Sequence, residues 1–286
     1  MRTRIEAALT LAVRRAEDGA PEGLAGAVRY AVFPGGARIR PHLCLAVAEA
    51  CGDEGSPLAD AVACSLELLH CASLVHDDLP CFDDADIRRG RPSVHRAYGE
   101  PLAVLVGDAL IVMAFEAVAR AGASAPDRVV PLITTLARAV GTPHGLVAGQ
   151  AWESEPSVPL EQYHRAKTGS LFMAATMCGA IVAGEDPEPW RVVGERLGEA
   201  YQVADDLLDA LAMSSEAGKP LGQDAALARP NAVLALGVDG AIARLHALVG
   251  QAAESVPECR GALGLRQLVL QMAKRLVPEG LKRSAA

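Results

Sequence analysis

PLADAVACSLELLHCASLVHDDLPCFDDADIRRGR (57–91) is the stretch on which the reading of this chain turns. From Pro57 to His76 apolar residues recur at three- and four-residue intervals, which predicts a strongly apolar helix. Directly after it come Asp77, Asp78, Asp83, Asp84 and Asp86, five carboxylates within ten residues, and then Arg88, Arg89 and Arg91. An acidic run is usually a solvated face, but these carboxylates repel one another and sit at a helix C-terminus, where the dipole favours cations. Something cationic is expected there.

The same helical spacing continues along nearly the whole chain, and alternating runs of Val, Ile, Thr and aromatics are absent. The fold class is therefore all-α. Breaks at Pro34-Gly35-Gly36, Gly52 to Pro57, Pro80, Gly90 to Pro92, Gly122 to Pro126, Gly141 to Pro143, Pro156 to Pro159, Pro187 to Pro189, Gly218 to Gly222 and Pro257 divide it into about ten or more helices. No linker is long or polar enough to mark a boundary, so one helical domain over residues 1–286 is expected.

Composition narrows the function. With 286 residues, 51% apolar and 22% charged, the chain is too apolar for disorder and long enough for a sizeable core. A net charge of −8 with scattered basic residues lacks the footprint of a nucleic-acid binder, so small ligands or metals are the expected partners. The longest uncharged stretch, Thr168 to Gly184, is interrupted by Thr168, Gly169, Ser170, Thr176 and Gly179 and reads as a buried helix rather than a transmembrane segment. Seven cysteines form no CxxC pair and no secretion signal opens the chain, so reduced core cysteines and a cytoplasmic location are expected.

A second acidic cluster, Asp205-Asp206-Leu207-Leu208-Asp209, lies inside the helical pattern EAYQVADDLLDALAM. Asp205 and Asp209, four residues apart, project from one face on consecutive turns. Two such clusters supply hard oxygen ligands for Mg²⁺, which takes one or two carboxylates and completes its shell with water and substrate phosphate. Cationic residues accompany them: Arg40 after the Gly35-Gly36 turn, Arg88 and Arg89, Lys167 beside Thr168, and Lys219 and Arg229. Arginine's fork suits phosphate oxygens and lysine adds a mobile point charge. The set reads as a diphosphate site. His70, two helical turns before Asp77, shares that face.

Over essentially its whole length the chain resembles the trans-isoprenyl diphosphate synthases. The residues that carry the resemblance are GGARIRP (35–41), HCASLVHDDLPCFDDADIRRGRPSVH (70–95), GDAL (107–110), AGQ (148–150), KTGSLF (167–172), YQVADDLLD (201–209) and GKPLGQD (218–224). The resemblance implies a helical bundle around a deep central cavity, a homodimer, and three Mg²⁺ ions held by Asp77, Asp83 and Asp205, with Asp78, Asp206 and Asp209 completing the motifs. It implies an allylic diphosphate held by Arg88, Lys167, Thr168, Gln202, Lys219 and Arg229, and an isopentenyl diphosphate held by Arg40, His70 and Arg89. Two departures stand out. Ala37 occupies the place of the usual lysine in GGKRxRP, and the later GKxT stretch reads Ala228-Arg229-Pro230-Asn231.

The resemblance also bears on product length. Ala72, at the fifth position before Asp77, is the family's chain-length position, whereas helical angle favours Ser73; both side chains are small, as in carotenoid-type C20 enzymes, so geranylgeranyl diphosphate is the expected product. A farnesyl diphosphate synthase and a non-catalytic partner subunit are the alternatives. A class I terpene cyclase fits less well, because its second metal motif normally carries Asn/Asp, Ser/Thr and Glu.

Overall fold

The computed structural model describes residues 1–33, 35–157, 160–215 and 231–276. They gather into two compact units: Met1–Ala137 with Ala174–Pro187, and Arg138–Met173 with the described part of Glu188–Ala286.

The first unit contains α1 (Arg2–Glu17), α2 (Glu22–Val32), α3 (Ile39–Ala50), α4 (Pro57–Asp77), α5 (Val94–Tyr98) and α6 (Glu100–Ala121). α4 is its centre, packed by α1, α2, α3 and α6. Ser56 starts α4 by accepting from the Ala59 N–H at 3.1 Å, and Pro57 sits in the first turn, where its missing N–H costs nothing. The helix stops where the Leu79 N–H turns back to the His76 carbonyl and Pro80 follows. Leu58, Leu66, Leu68 and Leu69 are each 3% exposed or less, and each contributes about 1.5–3 kcal/mol of transfer free energy. The all-α expectation holds except for a two-residue antiparallel ladder, Ile87–Arg88 with Arg91–Pro92, that closes the RRGR turn.

α7 (Pro126–Val140) and α10 (Ser170–Ala183) each run from one unit into the other. The second unit adds α8 (Leu146–Trp152), α9 (Leu160–His164), α11 (Arg191–Ser215), α12 (Ala232–Glu254) and α13 (Ala262–Leu276). Its core is built from Ala200, Val203, Ala204 and Leu207 of α11 against Ala241, Leu245, Leu248 and Val249 of α12. Both sets follow the three- and four-residue spacing of a buried helix face. Between α9 and α10 the chain makes one π-helical turn, Arg165–Gly169.

Among the described residues, four helical stretches are long and apolar enough to cross a membrane by length and composition alone: 57–77, 100–124, 162–183 and 232–254. Stretches 57–77 and 162–183 are 72% and 78% buried inside the protein, which accounts for their apolar character without a bilayer. The cysteines are all free, with Cys44, Cys64, Cys71 and Cys178 buried.

Candidate active site

In the first unit the acidic loop folds back on the end of α4. The Asp83 N–H donates to the Asp77 carbonyl at 3.0 Å, and the Ala85 N–H donates to the Asp78 carbonyl at 3.2 Å. Asp77 and Asp83 are thereby drawn together and both stay half-buried, whereas Asp78 is 2% exposed. Asp78 accepts from Arg88 through Nε at 2.9 Å and Nη2 at 2.5 Å. Burial pushes the Asp78 carboxyl up, and Arg88 offsets this only in part. The two aspartates that are adjacent in sequence therefore have different surroundings: Asp77 half-buried at the helix end, Asp78 buried against an arginine.

Arg40, His70 and Arg89 also belong together. His70 is half-buried, and burial followed by the charges of Arg40, Arg89, Arg38 and Arg88 holds its pKa well below the ordinary histidine value. A neutral ring among guanidinium groups suits a dianionic or trianionic ligand. The Gly35-Gly36 turn makes the approach possible: a Cβ on Gly36 would come within 2.8–2.9 Å of the Arg89 guanidinium, and one on Gly35 within 2.0 Å of that of Arg38. Among the described residues, Arg38, Asp84 and Arg89 are the non-glycine residues with positive φ, and all three lie in this region. Arg96 holds the outer carboxylates, reaching Asp84 at 3.1 Å and Asp86 at 2.5 Å.

An open pocket lies beside these groups, lined by Asp78, Arg88, Arg89, Arg91 and Tyr30 among others. Its α4 wall is Cys71, Leu74, Val75 and Asp78, and it includes neither Asp77 nor Ala72 nor Ser73. Ala72 is 2% exposed; Ser73 is half-buried and donates to the His70 carbonyl at 2.9 Å.

In the second unit Thr168 Oγ1 donates to Gln202 Oε1 at 2.8 Å, and Gln202 Nε2 donates to Asp206 Oδ1 at 3.0 Å. Asp206 Oδ2 in turn accepts from the Ala232 N–H at 2.7 Å, at the start of α12. Asp206, 4% exposed, thus ties three elements together, while the preceding Asp205 is exposed. Asn231, the last residue of the stretch that departs from GKxT, caps α12 through its side chain. Lys167 lies in the π-helical turn, where the sequence predicts the opening of an apolar helix; it donates to Glu153 at 2.5 Å. Lys219 and Arg229 lie outside the described residues, as does the side chain of Asp209.

Sequence reasoning missed Glu67, Glu153, Tyr163 and Arg96. Glu67 carried a signal, a lone carboxylate inside an apolar helix, which has to find a partner. Glu153 and Tyr163 carried none, because their partners come from neighbouring elements. No group of three or more His, Cys, Asp or Glu side chains is assembled at metal distance among the described residues. Asp77 and Asp83, drawn together at the end of α4, are hard oxygen donors of the kind Mg²⁺ takes, one or two carboxylates with water and phosphate oxygens.

Comparison with known proteins places this geometry. The family model for polyprenyl synthetase matches residues 21–265. The chain is 58% identical over 276 residues to a geranylgeranyl diphosphate synthase of Cereibacter sphaeroides, covering 96% of each chain. It is 53% identical to a geranylgeranyl diphosphate synthase of Rhodobacter capsulatus, covering 96% of this chain and 95% of the relative. Among solved structures, an FPP/GFPP synthase from Zymomonas mobilis superposes with a TM-score of 0.78 at 31% identity, covering 95% of this chain and 98% of that one. A geranyltranstransferase from Thermotoga maritima superposes with a TM-score of 0.77 at 28% identity, covering 96% and 98%. The helical fold, the two aspartate clusters and these matches agree: the chain belongs to the polyprenyl synthetase family.

Proposed function

We propose that this protein is a trans-prenyltransferase that condenses isopentenyl diphosphate with dimethylallyl, geranyl and farnesyl diphosphates and releases geranylgeranyl diphosphate, acting as one catalytic domain over residues 1–286. The observation that carries this reading is the placing of Arg40 and Arg89 within electrostatic reach of His70, on the helix that ends at Asp77. A site for one diphosphate beside an acidic helix end is what a two-diphosphate condensation requires. The 58% identical relative named geranylgeranyl diphosphate synthase supports the product.

In the reaction the allylic C–O bond breaks to give a diphosphate anion and an allylic cation. The isopentenyl double bond attacks that cation, and loss of a proton restores the alkene. The protein's work is to bind the leaving charge and keep the partners aligned. Lys167, Thr168, Gln202 and Arg88, with Lys219 and Arg229, hold the allylic diphosphate; Arg40, His70 and Arg89 hold isopentenyl diphosphate. Mg²⁺, three ions in this reading, is held by Asp77, Asp83 and Asp205 and supplies neutralisation of the diphosphate charge. Asp78 and Asp206 position Arg88 and Gln202. His70 is not the base; the released diphosphate takes the final proton.

A cytoplasmic homodimer completes the reading. α6 presents Val104, Leu105 and Val112 at 43%, 51% and 67% exposure, an apolar face suited to a second copy. The deciding experiment incubates the protein with radiolabelled isopentenyl diphosphate, Mg²⁺ and each allylic primer in turn and sizes the products. Geranylgeranyl diphosphate is expected; no incorporation would leave only the reading of a non-catalytic partner subunit.

A further inference from the structure

Glu153 follows α8 directly and its side chain is 13% exposed. Its Oε1 accepts from the Tyr163 hydroxyl at 2.6 Å and from Lys167 Nζ at 2.5 Å, and its Oε2 accepts from Gln150 Nε2 at 3.4 Å. The donors come from three successive elements, α8, α9 and the π-helical turn. Lys167 Nζ also lies 5.9 Å from the centroid of the Tyr163 ring. Gly149 sets the distance between these elements: a Cβ there would come within 2.5 and 2.6 Å of the Lys167 backbone N and Cα. α8 comes this close to the turn only because residue 149 has no side chain.

Lysine carries its charge on a flexible four-carbon stem, and fixing that stem costs conformational entropy. Whatever holds the ammonium before substrate arrives removes part of that cost from binding. The carboxylate of Glu153 is itself held by Tyr163 and Gln150, so it offers Lys167 a fixed anchor. An ammonium has three N–H donors, so one hydrogen bond to Glu153 does not by itself use up its hydrogen-bonding capacity.

We infer that Glu153 is a positioning residue that holds the Lys167 ammonium where it meets the allylic diphosphate. The inference rests on the reading of Lys167 given above. A Glu153 that competed with the diphosphate for Lys167 would act with the opposite sign, which makes the two roles separable.

The test is a double-mutant cycle on the full chain with E153Q, K167A and E153Q/K167A. It measures KM for the allylic and for the isopentenyl substrate, together with the Kd of an uncleavable allylic thiodiphosphate. E153Q is expected to raise the allylic KM and the Kd roughly 10-fold and to leave the isopentenyl KM within about twofold. In the K167A background E153Q should add nothing. Y163F keeps the charge but loosens the anchor, and should raise the same KM about threefold; it carries the test if E153Q does not fold. An unchanged or lowered allylic KM in E153Q, or an equal rise with and without Lys167, overturns the inference while the role of Lys167 stands. An allylic KM unaffected by K167A overturns both.

Discussion

Arg38 and Glu67 form an ion pair closed to solvent: Nη1 donates to Oε1 at 2.6 Å, with the two side chains 1% and 2% exposed. Arg38 also donates through Nε to Glu6 at 3.0 Å and through Nη2 to the Val32 carbonyl at 3.0 Å. The guanidinium is thus tied into the fold, and with it the left-handed backbone of residue 38 that leads into α3. Removing one partner of such a pair leaves a buried charge uncompensated. Glu67→Ala should cost roughly 3 kcal/mol, at the low end for buried pairs because Glu6 remains. Urea unfolding measures it; a loss under about 1 kcal/mol would mean that Glu67 is dispensable.

The same pair bears on Ala37. A neighbouring arginine could take the place of the missing lysine only if its charge were available, and Arg38 is committed to Glu67, Glu6 and Val32. Ala37→Lys should therefore lower the isopentenyl diphosphate KM by about 10-fold, the worth of one charged hydrogen bond, and leave the allylic KM alone. A rise in the first, or equal changes in both, would show that this loop is not the isopentenyl site.

Residues adjacent in each acidic motif should separate by phenotype. Asp77→Ala and Asp205→Ala remove carboxylates assigned to Mg²⁺ and should lower turnover by about 10²–10³ with little change in stability. Asp206→Ala instead frees the Gln202 amide and the Ala232 N–H in a buried place, and should destabilise by about 1–3 kcal/mol. Thermal melts beside kcat distinguish them. Near-normal turnover in Asp77→Ala would remove Asp77 from the metal site, and chelation by EDTA should abolish activity in the unmodified protein.

Local pattern carried far in this chain. The apolar spacing of 57–76 and the Asp205/Asp209 spacing each depend on one helix, and both helices formed where the sequence places them. What depended on folding back was not legible. The commitment of Asp78 to Arg88 needs the hairpin at 87–92, and the setting of Lys167 needs Glu153 and Tyr163, which spacing alone does not connect. Two neighbouring aspartates look alike in sequence; burial, set by tertiary packing, leaves Asp77 half-buried at the helix end and commits Asp78 to Arg88.

His70 supplies a pH dependence with a definite sign. Its folded-state pKa lies well below the ordinary value of about 6.5, chiefly through burial and then through the surrounding arginines. As the pH falls below about 6.5 the unfolded chain binds a proton that the native chain does not, so His70 lowers stability on the acid side only. Unfolding free energies from pH 7.5 to 5.5 should therefore fall more steeply for the unmodified protein than for His70→Asn. Parallel curves would show that the ring titrates normally.

Product length is the last expectation, and α4 gives it a stringent form. One isoprene unit is about as long as one helical turn of roughly 5.4 Å, so bulk one turn before Asp77 should decide whether a fourth unit fits. Ser73 lies one full turn before Asp77, while Ala72 is the position indicated by the family pattern, and the two differ in burial: Ala72 is 2% exposed and Ser73 half-buried. Neither lines the open pocket against Cys71, Leu74, Val75 and Asp78, so a change at either leaves that face intact. Ala72→Tyr forces a ring into a packed position at a cost of about 1–3 kcal/mol, which a melt must show the fold survives. In the folded variant the main product should shift from C20 to C15 when products from labelled isopentenyl diphosphate are sized. Ser73→Tyr is the companion: a shift to C15 there, with Ala72→Tyr still making C20, moves the floor to Ser73. A folded, active Ala72→Tyr enzyme that keeps its C20 product removes Ala72 from the floor, and a C15 product from the unmodified protein refutes the length itself.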